Sequence, residues 1–150
     1  MPAGDRVKRL RGFTLLETMI ALSIVSILAV VAVPTYLDYE VRAEVSEGFS
    51  LADPVKTMVF EYYATTGTWP ASNAQAAVKA PASFRTDYVD SITITSSAAG
   101  AAITVTYRIP ALGSDNTIVF KPVDVAGTQI EWSCKLGTVI NKYRPAACKT

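Results

Sequence analysis

The sequence contains no histidine and only two cysteines, Cys134 and Cys148. Without histidine the chain lacks the commonest general base and metal ligand. Two cysteines alone cannot build a four-ligand structural zinc site. The chain also lacks Cys-x-x-Cys and the usual sequence motifs of nucleotide-binding proteins, serine hydrolases and zinc proteases. We therefore expect no enzyme, and neither a metal site nor a cofactor.

Charged residues are unevenly placed along the chain. The first twelve residues, "MPAGDRVKRLRG", carry four basic side chains and one acid, although the net charge of the whole chain is +1. Acids outnumber bases in the remainder, so the body is not a polybasic nucleic-acid binder. A basic segment before an apolar run stays on the cytoplasmic side of a membrane.

Residues 13–33 form an apolar run in which Glu17 is the only charged residue. As a helix these 21 residues span about 30 Å, the thickness of a bilayer core. A secretory signal peptide ending near Ala32 and a single-pass anchor are the two plain interpretations. Neither interpretation explains the spacing of Gly12 and Glu17. Neither explains why a carboxylate lies in the apolar run, where its burial is costly.

The stretch "RGFTLLETMIALSIVSILAVVAVPTY" closely resembles the N-terminus of type IV pilins. The resemblance implies that residues 1–12 are a leader, which a prepilin peptidase removes between Gly12 and Phe13. The same enzyme would methylate the new amino group of Phe13. The resemblance further implies an inner-membrane precursor with a periplasmic head, an inner-membrane assembly platform, and finally an extracellular pilus.

Cleavage at Gly12 would place an ammonium group on Phe13, four residues before Glu17. In a filament of many copies, each Glu17 carboxylate would meet the ammonium of a neighbouring Phe13. Two charges 4 Å apart attract by about 4 kcal/mol at an effective dielectric of 20. A subunit at the wrong axial position in the filament would leave its carboxylate unpaired, which costs free energy. Glu17 is therefore expected to set the axial register of the subunits.

Apolar residues recur every three to four positions from Tyr36 to Tyr63, with acids between them. We expect one long helix from about Phe13 to Tyr63, whose first part, 13–33, lies in the membrane or filament core. Pro34 and Pro54 each remove a backbone hydrogen bond and should kink it. Three separate helices are the alternative, although in type IV pilins the helix is continuous and curved at the position of Pro34.

After residue 87 apolar residues alternate with polar ones, which predicts β-strands. The expected strands are Tyr88–Thr95, Ala102–Ile109, Thr117–Val123 and Thr128–Lys135, joined at "SSAAG", "PALGSDN" and "VAG". One apolar face would pack on the amphipathic half of the helix, giving an α+β head within residues 34–150.

The segment "GTWPASNAQAAVKAPAS" is expected to form a loop containing a short helix that begins near Ser72 or Asn73. Type IV pilins carry a similar Gly-x-Trp/Tyr-Pro-x-x-Asn stretch after the long helix. The plain interpretation is a structural turn in which Trp69 packs into the core.

The cysteines follow a membrane segment and are therefore expected to form one disulfide in an oxidising compartment, unless they pair between molecules. The ring from Cys134 to Cys148 would contribute about 3 kcal/mol in the loop-entropy model. The ring resembles the C-terminal loop of type IVa pilins. The segment 134–150 contains four bases and no acid: Lys135, Lys142, Arg144 and Lys149. These side chains are either a patch for anionic surfaces or DNA, or ordinary solvated cations.

The leading hypothesis is thus a type IVa major pilin, a homo-oligomeric fibre subunit. The resemblance implies adhesion, twitching motility and, in some members, DNA uptake, with host surfaces or DNA as partners. A minor pilin or a type II secretion pseudopilin is the alternative within the superfamily, although pseudopilins usually lack the disulfide loop. A membrane-anchored binding module acting as a monomer is the alternative from another class.

Overall fold

A computed structural model describes residues 12–97, 100–125 and 129–150, the side chains of Ser97, Asp124, Val125 and Gln129 excepted. Helix α1 is followed by four strands, and three short 3-10 helices lie in the connections. The bounds are α1 Leu15–Thr66, β1 Val89–Ser97, β2 Gly100–Tyr107, β3 Thr117–Val125 and β4 Gln129–Leu136, with 3-10 helices at Pro81–Phe84, Pro110–Leu112 and Ala146–Cys148. The chain divides into two compact units after Tyr36. We call Leu37–Thr150 the head.

Helix α1 is a single helix of 52 residues, and its assignment continues through both Pro34 and Pro54. The alternative of three separate helices is therefore wrong. The helix begins two residues later than expected and ends three residues later. It stops because Gly67 adopts a left-handed conformation with φ of 72°. The Gly67 amide donates to the Tyr63 carbonyl oxygen at 2.8 Å, which satisfies one of the last carbonyls of the helix.

The four strands form one antiparallel sheet in the order β1-β2-β3-β4. The predicted number of strands and their antiparallel arrangement are confirmed, with ends displaced by at most two residues. Residues 98–99 and 126–128 lie outside the described part of the chain. The expected turns "SSAAG" and "VAG", and the expected start of the last strand at Thr128, therefore lie wholly or partly outside it too.

One face of α1 packs on the sheet and forms the core of the head. Val45 and Val59 are fully buried, as are the sheet residues Ile92, Ile103 and Ile118. An edge-to-face pair of rings adds to this core, since the centroids of Phe49 and Phe120 lie 5.1 Å apart. The predicted α+β head is confirmed.

The expected short helix near Ser72 or Asn73 is wrong. Residues 73–77 form a hydrogen-bonded turn, in which the Val78 amide donates to the Asn73 carbonyl oxygen at 2.9 Å. The Asn73 side chain does not cap a helix, because its amide group is hydrogen-bonded to strand β1. Trp69 is partly buried, as expected, and stacks on Tyr63 with ring centroids 4.0 Å apart.

Candidate assembly surface and C-terminal loop

The first part of α1 exposes nearly all of its apolar side chains. Every large apolar residue from Phe13 to Val33 is between 54% and 80% exposed. The segment is long and apolar enough to cross a membrane, with a mean hydropathy of 2.4. An apolar surface of this extent requires lipid or protein to cover it.

The hydroxyl groups within this apolar part are hydrogen-bonded to the helix itself. Ser23 donates to the Met19 carbonyl oxygen at 2.8 Å and Ser26 donates to the Leu22 carbonyl oxygen at 2.7 Å. Such internal bonds remove the cost of placing a hydroxyl in hydrocarbon. Glu17 is therefore the polar side chain in this segment whose burial needs a partner.

Glu17 also lies at the N-terminus of α1. The hydroxyl of Thr14 accepts a hydrogen bond from the Glu17 backbone N–H at 3.2 Å, so Thr14 is the N-cap and Glu17 is the third helical residue. A carboxylate there is favoured by the helix dipole. Thr14 and Glu17 match the Thr-x-x-Glu pattern of a capping box. Glu17 was considered only as a charge, so this pattern was missed.

The predicted cleavage position is open to solvent. Phe13 is 78% exposed, and a Cβ added to Gly12 would meet no atom within 4 Å. Gly12 is therefore not required by crowding within the described chain. Its absence of a side chain matters only if something else approaches the backbone closely.

Cys134 and Cys148 form the expected disulfide, with Cα atoms 4.9 Å apart. The bond joins the end of β4 to the last 3-10 helix. It closes the C-terminal loop on the head.

Arg144 corrects the prediction of a four-residue cationic surface, because it is only 4% exposed. Its guanidinium group donates five hydrogen bonds of 2.5 to 3.2 Å, to the carbonyl oxygens of Cys134, Lys135, Leu136, Gly137 and Val139. Burial lowers the pKa of Arg144 from its usual value. Charge and spacing in the sequence gave no sign that the loop folds around this side chain.

The three lysines of the C-terminal loop are exposed, as expected, but one of them is paired. Lys142 Nζ lies 2.7 Å from an Asp38 carboxylate oxygen, and this hydrogen bond is the main cause that raises the pKa of Lys142. The Arg42 Nε–H also donates to the Lys142 carbonyl oxygen at 2.7 Å. Lys135 and Lys149 have no ion pair within the described residues.

An exposed apolar helix of membrane-spanning length and an α+β head closed by one disulfide define a protein whose helix has to be covered by lipid or by protein. Comparison with known proteins gives the family. The family model for pilin, a bacterial filament protein, matches residues 41–149, and the prokaryotic N-terminal methylation motif matches residues 7–33. The chain belongs to the pilin family and is a type IV pilin.

Two relatives illustrate the similarity. The fimbrial protein EcpC of Eikenella corrodens is 37% identical over 143 residues, which is 93% of this chain and 90% of that protein. The type IV major pilin protein PilE of Neisseria gonorrhoeae is 46% identical over 84 residues, covering 56% of this chain and 50% of that protein. With the family, these matches identify the chain as a structural subunit of a pilus.

Proposed function

We propose that this chain is the major subunit of a type IVa pilus and is assembled from an inner-membrane precursor. Its head would fold in the periplasm, and a prepilin peptidase would cut between Gly12 and Phe13 and methylate the new amine. An inner-membrane assembly platform would then move the subunit into an extracellular homopolymer. This scheme assigns residues 1–12 to the leader, 13–33 to the membrane or filament core, and 34–150 to the amphipathic helix and the head.

The observation that carries the proposal is the exposure of the apolar part of α1. Large apolar side chains from Phe13 to Val33 are at least 54% exposed, whereas Val45 and Val59 in the head half of the same helix are fully buried. Lipid would cover the first set before assembly, and helices of other copies would cover it afterwards. Apolar side chains gain no hydrophobic free energy when they exchange lipid for a neighbouring helix. Close packing and polar contacts between the helices must therefore favour the filament.

Glu17 supplies such a polar contact. A carboxylate buried in the filament core is tolerable only when a positive charge lies beside it. The processed Phe13 amine of a neighbouring copy provides that charge.

Pro34 removes one backbone hydrogen bond from α1, so the helix can change its conformation there during assembly.

The experiment must separate charge pairing from helix capping, because Glu17 is suited to both. Glu17→Gln keeps a residue that a capping box accepts but removes the charge. We expect Glu17→Gln to reduce filaments in the sheared surface fraction at least about tenfold, with unchanged precursor in the membrane. Thr14→Ser, which keeps the N-cap hydroxyl, is the matched control and should assemble normally. Normal assembly of Glu17→Gln would overturn the pairing.

Processing is tested by the mass of the filament protein. The proposal expects a chain that begins at Phe13, carries one N-methyl group, and has lost two hydrogens at Cys134 and Cys148. A surface protein that still begins at Met1 would refute the leader assignment. Recovery of the chain only as a membrane-bound monomer, with no filament fraction, would favour an anchored binding module instead.

Adhesion, twitching motility and DNA uptake are proposed as functions of the assembled fibre. For contact with anionic surfaces we propose Lys135 and Lys149, since these exposed lysines have no ion pair within the described residues. Replacing both by glutamine should weaken binding of purified pili to duplex DNA and lower its salt dependence. An unchanged salt slope would exclude both lysines.

A further inference from the structure

Strands β1 and β4 are the two edges of the sheet, because the strand order is β1-β2-β3-β4. An uncovered edge presents backbone N–H and C=O groups that can pair with a strand of another molecule. For a protein whose copies assemble side by side, such pairing would compete with the helix-based assembly proposed above.

In the middle of β1, two backbone groups at the edge are hydrogen-bonded to one side chain, that of Asn73. Its Nδ2–H donates to the Ile92 carbonyl oxygen at 2.9 Å, and its Oδ1 accepts from the Ile94 N–H at 2.8 Å. A residue of a neighbouring strand would make the same pair of bonds with its backbone. Asn73 is 5% exposed, and Nδ2 also donates to the Lys79 carbonyl oxygen at 3.0 Å. The side chain is thus held in place from the loop.

The C-terminal end of β4 is covered by Arg144. Between the pairs Val119–Leu136 and Lys121–Ser133, β4 has two residues, Cys134 and Lys135, where β3 has only one. Both of their carbonyl oxygens accept hydrogen bonds from Arg144 Nη1, at 3.2 and 2.8 Å.

Both edge strands carry the extra residue of a bulge. In β1 the register shifts between Val89 and Ser91, which leaves Asp90 as the extra residue. The register between the two inner strands β2 and β3 is regular. Bulges, side-chain covers and charges at sheet edges are the devices by which natural sheets avoid edge-to-edge association.

We propose that the Ile92–Ile94 edge of β1 is a strand-addition surface that Asn73 occupies within the chain. The partner that would dock there once Asn73 is removed is an edge strand of a second copy. Asn73, with Arg144 on the opposite edge, therefore keeps copies of this protein from joining through their sheets and leaves the apolar helix as the assembly surface.

The test uses the full chain in detergent micelles. In Asn73→Ala the Ile94 amide should exchange with solvent at least about tenfold faster, because its acceptor is lost. The variant should also form concentration-dependent aggregates that bind thioflavin T and give the 4.7–4.8 Å cross-β reflection.

Asn116→Ala is the matched control, since Asn116 Nδ2 donates to the Tyr107 carbonyl oxygen at 3.1 Å, away from the free sheet edges. If Asn73→Ala aggregates no faster than this control at an equal folded fraction, or if its aggregates lack the cross-β reflection, the inference is wrong. Should Asn73→Ala fail to fold, Asn73→Ser, whose shorter side chain cannot reach both partners, replaces it in the same comparison. Because these measurements do not use filaments, they stay decisive even if the proposed assembly is refuted.

Discussion

Helix α1 contains two regions that both carry valines but bury them to opposite extents. Val25 and Val30 are 61% and 74% exposed, whereas Val45 and Val59, on the same helix, are fully buried against the sheet. The apolar character of a single residue therefore does not tell whether it is buried within the fold. The head covers its own valines, and the first part of the helix has to be covered by lipid or by other copies.

The largest expected effect comes from placing the same substitution in both regions. Val45→Asp buries an unpaired charge in the head and should cost about 4 kcal/mol, a large share of the stability of a typical domain. Val25→Asp should leave the head folded but cost about 2.5–3.5 kcal/mol on insertion into the membrane. Thermal unfolding followed by tryptophan fluorescence, and recovery of sheared filaments, measure the two effects separately.

Val25→Leu, which keeps the apolar surface, is the control and should assemble and melt as the unchanged protein does. The comparison fails if Val25→Asp lowers the melting temperature of the head as much as Val45→Asp does. It also fails if Val25→Asp assembles normally.

The second effect concerns the contact that joins α1 to the sheet. A Cβ on Gly48 would collide with the Tyr107 ring and hydroxyl, both of which are buried. Gly48→Ala should therefore cost about 1–2 kcal/mol, although alanine favours the helix itself. In a Tyr107→Leu background the same change should be neutral or stabilising, because the ring is gone. A cost that is equal in both backgrounds would contradict the contact, and Ser50→Ala on the exposed side controls for helix propensity.

Much of this architecture could be predicted from the sequence. Period-two alternation locates all four strands, and the resemblance of residues 11–36 to type IV pilins indicates the type of N-terminus. The predicted end of the helix was three residues too early, because the helix continues past Tyr63 until Gly67 stops it, and the predicted start was two residues too early, because Thr14 is the N-cap. The Thr14 cap was missed although its pattern is local.

The roles of Asn73 and Arg144 could not be predicted, because both depend on contacts between distant parts of the chain. Asn73 bonds to a strand 19 to 21 residues later in the sequence. Arg144 looked like a surface cation because charge usually marks exposure. Its five carbonyl partners come together only when the turn after β4 folds around it.

The third effect appears at alkaline pH. The Tyr107 hydroxyl donates to the Val45 carbonyl oxygen at 2.8 Å, and burial, aided by the charge of Glu47, raises the pKa of Tyr107. An unfolded tyrosine ionises near pH 10, so the folded head keeps a proton that the unfolded chain releases. This stabilisation is fully present below about pH 10 and is lost as the pH rises further. Tyr107→Phe should cost about 1 kcal/mol at pH 7 and should flatten the loss of stability above pH 10.

If Tyr107→Phe loses stability above pH 10 as steeply as the unchanged protein does, Tyr107 is not the group responsible.

The smallest effect concerns the attachment of the C-terminal loop to the helix at Lys142. Lys142 Nζ bonds to the Asp38 carboxylate, whereas Arg42 Nε–H bonds to the Lys142 backbone carbonyl oxygen, each at 2.7 Å. The ion pair is at the surface, so Lys142→Met should lower the melting temperature by only about a degree, and less at high salt. The backbone contact fixes the chain itself, so Arg42→Met should speed amide exchange in residues 140–144 more than Lys142→Met does. The opposite order would show that the ion pair, rather than the backbone contact, holds the loop against the helix.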